Sequence, residues 1–184
     1  MDSEAARLKL VPRTMILLDP DLEPHPALRI TPARMAAAAI PRDQRIPAAR
    51  ALSRFLAEAQ SAIRLRGQVT VLLTTDACLR KLNRQFRGKD KSTDVLSFPA
   101  EGIGAEQIAG DLAISVPTAQ KQAVEQGHSL ATEIKVLILH GLLHLAGHDH
   151  ESDAGKMARR EGQLRAKLGL PQGLIERVAM VKKP

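Results

Sequence analysis

The sequence contains no tryptophan and no tyrosine, and its aromatic complement is three phenylalanines, Phe55, Phe86 and Phe98. That scarcity argues against the serial base-stacking platform used by many single-strand binders. Cysteine is equally sparse. The lone Cys78 cannot form an internal disulfide, which fits a reducing compartment, and it reads as a small buried apolar residue on a helix. The longest apolar runs, such as residues 15–18 and 35–40, are far too short to span a bilayer. Residues 1–7 lack the basic-then-apolar order of a signal peptide, so no targeting segment, no membrane partner and a cytoplasmic location are expected. No internal repeat or low-complexity linker divides the chain.

What is present points to one folded domain over residues 1–184. Hydrophobic residues make up 44% of the chain and charge of both signs is mixed among them, which excludes a disordered chain. The formal net charge is +7, and the commonest partner of a basic surface is nucleic acid. Arg80, Lys81, Arg84, Arg87, Lys89 and Lys91 crowd one segment against a single acid, Asp90. A second basic group, Lys156, Arg159, Arg160, Arg165 and Lys167, lies near the C-terminal end. Each is either a phosphate-binding surface or a solvated helix face.

Four of the six histidines fall within His140-Gly-Leu-Leu-His144-Leu-Ala-Gly147-His148-Asp149-His150. His140 and His144 are four apart, which on a helix stacks them on one face, where two imidazoles can share one metal ion. Gly147 tolerates the left-handed backbone that ends helices, and the turn beyond it can bring His150 to the same ion. His148 is the alternative third ligand if the helix continues past Gly147. The reach needed after a helix-ending glycine favours His150. Three neutral nitrogen ligands and one open position describe a catalytic zinc site better than a closed structural one.

The remaining pattern is mixed strand and helix, an α+β or α/β arrangement with a small sheet. Residues 14–18 read as a first strand and residues 19–45 as an irregular insertion with about one helical turn. Pro47 suits the first turn of a helix carrying Leu52, Phe55, Leu56, Ala59 and Ile63 on one face, ended by Gly67. Strands are expected over 69–74, over 95–98 before Pro99, and within 108–115. Thr75 or Asp76 caps a helix bearing Leu79, Leu82 and Phe86. Pro117 opens another to about Gln126. Ser129 begins a central helix that is apolar nearly all round from Leu130 to Leu145, and a last helix is expected over 152–168.

The histidine motif resembles the signature of the YbeY family, bacterial endoribonucleases of rRNA maturation. A second block is similar to that family as well, Leu82-Asn-Arg84-Gln-Phe86-Arg87-Gly88-Lys89-Asp90-Lys-Ser-Thr93-Asp94-Val95-Leu-Ser-Phe98-Pro99. So is Gly110-Asp111-Leu-Ala-Ile. The resemblance covers roughly residues 69–168, and residues 19–45 look like a departure from it. It implies an α+β fold in which about four strands of a small mixed sheet pack with about five helices, similar to metalloprotease (zincin-like) catalytic domains. It also implies one metal ion on His140, His144 and His150, usually zinc with other divalent metals as alternatives, a functional arginine at Arg87, and a role in small-subunit rRNA processing and ribosome quality control. Single-stranded RNA of the small ribosomal subunit is then the partner, and no DNA is expected.

Three neutral ligands leave the full charge on the ion, which lowers the pKa of bound water and polarises a phosphoryl oxygen. Arg87 is suited to clamp a phosphate with its planar fork. Its plain alternative is a surface contact or an ion pair with Asp90 or Asp94. His148 and Asp149 adjoin the ligands as candidates to orient water or support an imidazole, with Asp149 equally suited to capping the turn. Asp94 and Asp111 are candidates of a lesser kind, suited to satisfying backbone groups near strand ends.

Two rival readings remain. One is a zinc peptidase, because the ligand spacing equals that of the metzincins. Those enzymes carry a general-base glutamate after the first histidine, and here that residue is Gly141. The other is a non-catalytic, metal-stabilised ribosome-assembly factor.

Overall fold

The computed structural model describes residues 14–22, 42–100, 108–149 and 153–171. Among these residues four strands and five helices follow one another as β1 (Met15–Leu18), α1 (Ala49–Ile63), β2 (Gln68–Thr74), α2 (Asp76–Arg87), β3 (Val95–Pro99), β4 (Ile108–Ser115), α3 (Val116–Glu125), α4 (Leu130–Leu145) and α5 (Lys156–Leu168). Short 3-10 turns occupy Pro20–Leu22 and Arg42–Gln44. These turns are the described parts of the segment expected to be irregular. Its middle, residues 23–41, lies outside the described residues.

The strands form one sheet in the order β1-β2-β4-β3. The first three are parallel, and β3 runs antiparallel to β4, pairing Val95 with Ile114 and Pro99 with Gly110. The fold is therefore α+β with a mixed sheet. Pro99 was expected to stop β3 but is its last residue. This is tolerated because β3 is an edge strand, where a missing N–H breaks no ladder on the open side.

Alternation along the strands divides the core in two. Val69, Val71, Leu73, Leu112 and Ile114 face α1 and α4, packing with Leu52, Leu56, Ile134, Leu137 and Ile138. On the other face Leu96 and Ala113 pack under Leu79 of α2, flanked by Leu82 and Phe98. No residue of α4 is exposed, as its apolar pattern predicts. Each fully buried leucine contributes roughly 1.5–3 kcal/mol, so α4 is fixed by packing along its whole length.

The expected N-terminal caps of α2 and α4 are observed. Thr75 Oγ1 accepts from the Cys78 N–H at 3.3 Å, and Ser129 Oγ from the Thr132 N–H at 3.1 Å. Three expectations change. Helix α1 begins at Ala49, two residues after Pro47, and is closed by Arg64 in the left-handed conformation at φ +66° rather than by Gly67. Helix α5 begins at Lys156 rather than near 152, because Asp153 accepts from the N–H groups of Gly155 and Met157 and Ala154 and Gly155 both adopt positive φ. Cys78 is half-buried, not enclosed in the core.

Gly110 permits a close approach between the sheet and α4. Its φ is +144°, and a Cβ there would lie 2.3 Å from the Phe98 carbonyl oxygen and 2.8 Å from Leu145 Cδ2. Only a residue without a side chain lets the end of β3 and the end of α4 meet at this point.

Candidate metal centre

His140 and His144 occupy successive turns of α4 with their rings edge to face, centroids 4.8 Å apart. Their Nε2 atoms are 3.1 Å from each other. Two nitrogens each ~2.0–2.1 Å from one tetrahedral ion stand about 3.3 Å apart, so this spacing fits a shared cation.

The other side of His140 is equally specific. Its Nδ1 lies 3.1 Å from Oε2 of Glu161, which is buried on α5. A carboxylate only accepts, so Nδ1 carries the proton and Nε2 presents its lone pair to the space shared with His144. Histidines that hold metals are commonly backed by a carboxylate in this way. Oε1 of Glu161 lies 3.6 Å from Nε of Arg165, and Arg165 also donates to the Pro171 carbonyl. His140, Glu161 and Arg165 are 7%, 1% and 5% exposed, so the positive guanidinium compensates a carboxylate that would otherwise be costly to bury.

Helix α4 ends at Leu145, and the N–H of Gly147 bonds the His144 carbonyl while that of His148 bonds the Leu143 carbonyl, both at 3.0 Å. Gly147 has φ +84°. This is the Schellman geometry, with Gly147 in the left-handed position. The condition for His148 to act as a ligand on the helix face is therefore not met: it lies beyond the turn and is half-buried. Asp149 is exposed on the same turn. His150 lies outside the described residues. Among the described residues, no three His, Cys, Asp or Glu side chains form a metal-holding group, and the pair brought together is His140 and His144.

Gly141 distinguishes this centre from a metzincin peptidase site on steric grounds. A Cβ there would meet Leu112 Cδ2 at 2.7 Å, Leu112 Cδ1 at 3.0 Å and Ser97 Oγ at 3.3 Å. Leu112 is 1% exposed and has little room to move. The position that holds the peptidases' glutamate is thus closed against the sheet.

Arg87 lies in the last turn of α2, exposed to solvent. The ion pairs considered for it are taken by other groups. Asp90 receives two hydrogen bonds from Arg80, at 2.8 and 2.9 Å, which hold its carboxyl below the usual carboxylate range. Asp94 accepts from its neighbour's N–H, Val95, at 2.8 Å and from Gln122 at 3.0 Å. Asp111 faces solvent from β4. The second basic group divides: Lys156, Arg159 and Lys167 are exposed, whereas Arg165 is buried beside Glu161.

Glu161 and Arg165 are the site residues that sequence reasoning missed. Their signal was an acid within the buried stripe Met157, Glu161, Leu164 of α5, with a basic residue four positions on.

Residues 39–169 match the family model described as Endoribonuclease YbeY. Curated relatives named Endoribonuclease YbeY include one from Koribacter versatilis, 57% identical over 72% of this chain and 85% of the relative. Another, from Solibacter usitatus, is 55% identical over 70% of this chain and 84% of the relative. Among solved structures, the solution structure of TM1509 from Thermotoga maritima is similar at 27% identity, covering 67% of this chain and 85% of that one, with a TM-score of 0.48.

Proposed function

Because this chain belongs to the endoribonuclease YbeY family, a family of hydrolases acting on RNA, we propose that it is a metal-dependent endoribonuclease that cuts single-stranded RNA. Its proposed substrate is the 3′ end of the small-subunit rRNA, in maturation and ribosome quality control, in the cytoplasm. Among the described residues no helix is long and apolar enough to cross a membrane, which is compatible with that setting.

The observation that carries the metal dependence is the His140–His144 Nε2 pair backed by Glu161. These two imidazoles, with His150 as the third ligand, would hold one divalent cation, zinc by the chemistry of the donors. Such a cation supplies Lewis acidity, acidifying coordinated water and polarising a phosphoryl oxygen. The chain's own residues do the rest. Glu161 fixes the tautomer and orientation of His140. Arg87 clamps a non-bridging phosphate oxygen and balances the charge that builds up as the bond to phosphorus forms. His148 and Asp149, on the turn after Gly147, are placed in sequence to orient water or take its proton. Gly141 can take no proton, which disfavours peptide hydrolysis by the metzincin route.

The test compares purified wild-type chain with His144→Ala on single-stranded RNA, duplex RNA and casein, with and without chelator. The expected result is cleavage of single-stranded RNA alone, lost on chelation and in the variant. Undiminished RNA cleavage by His144→Ala, or chelator-sensitive proteolysis of casein, would overturn the reading.

A further inference from the structure

Helix α2 buries one stripe against the sheet: Leu79 and Asn83 are enclosed and Leu82 is half-buried. Phe86 continues that stripe, seven residues after Leu79 and three after Asn83, yet it is 59% exposed. The helix has by then reached the edge strand β3, and the ring rests edge to face on Phe98, centroids 5.2 Å apart at 67°. Of the three phenylalanines, Phe55 is in the main core and Phe98 is the support, so Phe86 is the aromatic surface the chain shows to solvent.

Its surroundings are basic and held in place. Arg84 and Arg87 flank Phe86 on α2, and Lys89 and Lys91 follow on the loop. The Asn83 side chain donates to the Lys91 carbonyl at 2.8 Å, the Lys89 N–H bonds the Asn83 carbonyl at 3.3 Å, and the Arg80–Asp90 pair ties the loop back to the helix. Among the described residues no salt bridge engages Arg84, Arg87, Lys89 or Lys91. Phe98, which supports the ring, has its backbone beside Gly110, where the side chain of Leu145, the neighbour of His144, also reaches.

We propose that Phe86, braced by Phe98, is a stacking subsite for one base of a single-stranded RNA whose phosphates are held by Arg84, Arg87, Lys89 and Lys91. The inference rests on the RNA-cleaving reading above and deepens it. A free π-face accepts any base, so the subsite selects for unpaired nucleotides rather than for sequence. A duplex keeps its bases stacked on one another and cannot offer one to the ring. A ring already fixed on Phe98 has little rotamer freedom left to lose on binding. The subsite takes one base, in keeping with an aromatic-poor sequence that has no serial platform.

The absence of tryptophan makes the test direct. Phe86→Trp introduces a sole indole whose fluorescence a stacked base quenches. The probes are an uncleavable single-stranded oligouridylate and an abasic oligonucleotide of the same length and charge. Expected results are quenching by the first and not by the second, and an affinity for oligouridylate about tenfold lower in Phe86→Ala, within the range for one lost base–aromatic stack. The unfolding midpoint of Phe86→Ala guards against loss of fold, and Phe86→Leu, which keeps apolar bulk without a π-face, should bind as weakly as Phe86→Ala. If the wild-type chain binds and cleaves RNA but the indole is quenched equally by both probes, or Phe86→Ala binds as tightly as wild type, the subsite falls and the nuclease reading stands. If the wild-type chain neither binds nor cleaves RNA, both fall.

Discussion

Oε2 of Glu161 lies 3.1 Å from Nδ1 of His140, joining α5 to the central helix across 21 residues of chain. Both groups are buried, and the carboxylate's other oxygen faces Arg165. The pair aims His140 Nε2 at His144. Glu161→Gln keeps the shape but loses the charge that makes the imidazole a strong donor. Its metal affinity is expected to fall by about 10- to 100-fold, the range for lost carboxylate partners of ligating histidines. Equilibrium dialysis against zinc measures this directly, and an unchanged dissociation constant would show that Glu161 serves the fold alone. Glu161→Ala should in addition destabilise the chain by about 3 kcal/mol, because it leaves the Arg165 guanidinium buried beside a vacancy.

Gly141 poses a test in which two effects oppose each other. In an open helix, Gly→Ala stabilises by about 1 kcal/mol. Here the added methyl meets Leu112 at 2.7 Å and Ser97 at 3.3 Å. Overpacking of this kind costs about 1–3 kcal/mol, so Gly141→Ala is expected to lower the melting temperature rather than raise it. A rise would mean that β4 yields easily. Gly141→Glu, which restores the metzincin pattern, is expected to misfold and not to cleave casein.

Asp76 ties the starts of two helices together. It accepts from the hydroxyls of Ser115 and of Thr118, the latter at 2.7 Å, and these bonds hold its carboxyl below the ordinary range, Ser115 contributing most. The folded state thus favours the ionised form more than the unfolded state does. The stabilisation is complete above the unfolded value of about 4 and is lost as pH falls through the lower folded value. Asp76→Asn is expected to unfold about 1–2 kcal/mol more easily at pH 7, the range for hydrogen bonds to a charged group after allowance for partial exposure. The difference from wild type should vanish in strong acid. Denaturant melts at neutral and acid pH measure it, and a deficit that persists unchanged in acid would assign the effect to packing.

Most of the centre was legible because its signals are local. The His140–His144 spacing, the Ser129 cap, Gly147 at the helix end and the apolar run of α4 all act within a few residues, where helix geometry fixes the outcome. The parts that were not legible depend on tertiary contact. Nothing in the spacing says that an acid on α5 reaches His140, or that Arg165 turns inward while Arg159 faces water. The strand order β1-β2-β4-β3 is likewise a property of packing, and with it the edge position that exposes Phe86. Cys78 shows the same limit. It follows the capped start of α2, and its half-exposure is set by how that helix lies on the sheet.

Arg87 separates metal binding from phosphate chemistry. It is exposed in the last turn of α2, and its neighbouring acids are occupied by Arg80, Val95 and Gln122. A guanidinium held this way is available to a ligand's phosphate. Arg87→Ala is therefore expected to bind metal as wild type does while its turnover on single-stranded RNA drops at least about 100-fold, as when one transition-state donor is removed. Arg87→Lys should recover little, since a point charge cannot reproduce a two-pronged clamp. Binding adds an independent check. RNA affinity should fall steeply with salt, and the slope of log affinity against log salt should be shallower by roughly one in Arg87→Ala if one phosphate contact is lost. An unchanged turnover in that variant would remove Arg87 from the chemistry. An unchanged slope with lowered turnover would mean that it engages the phosphate only in the transition state.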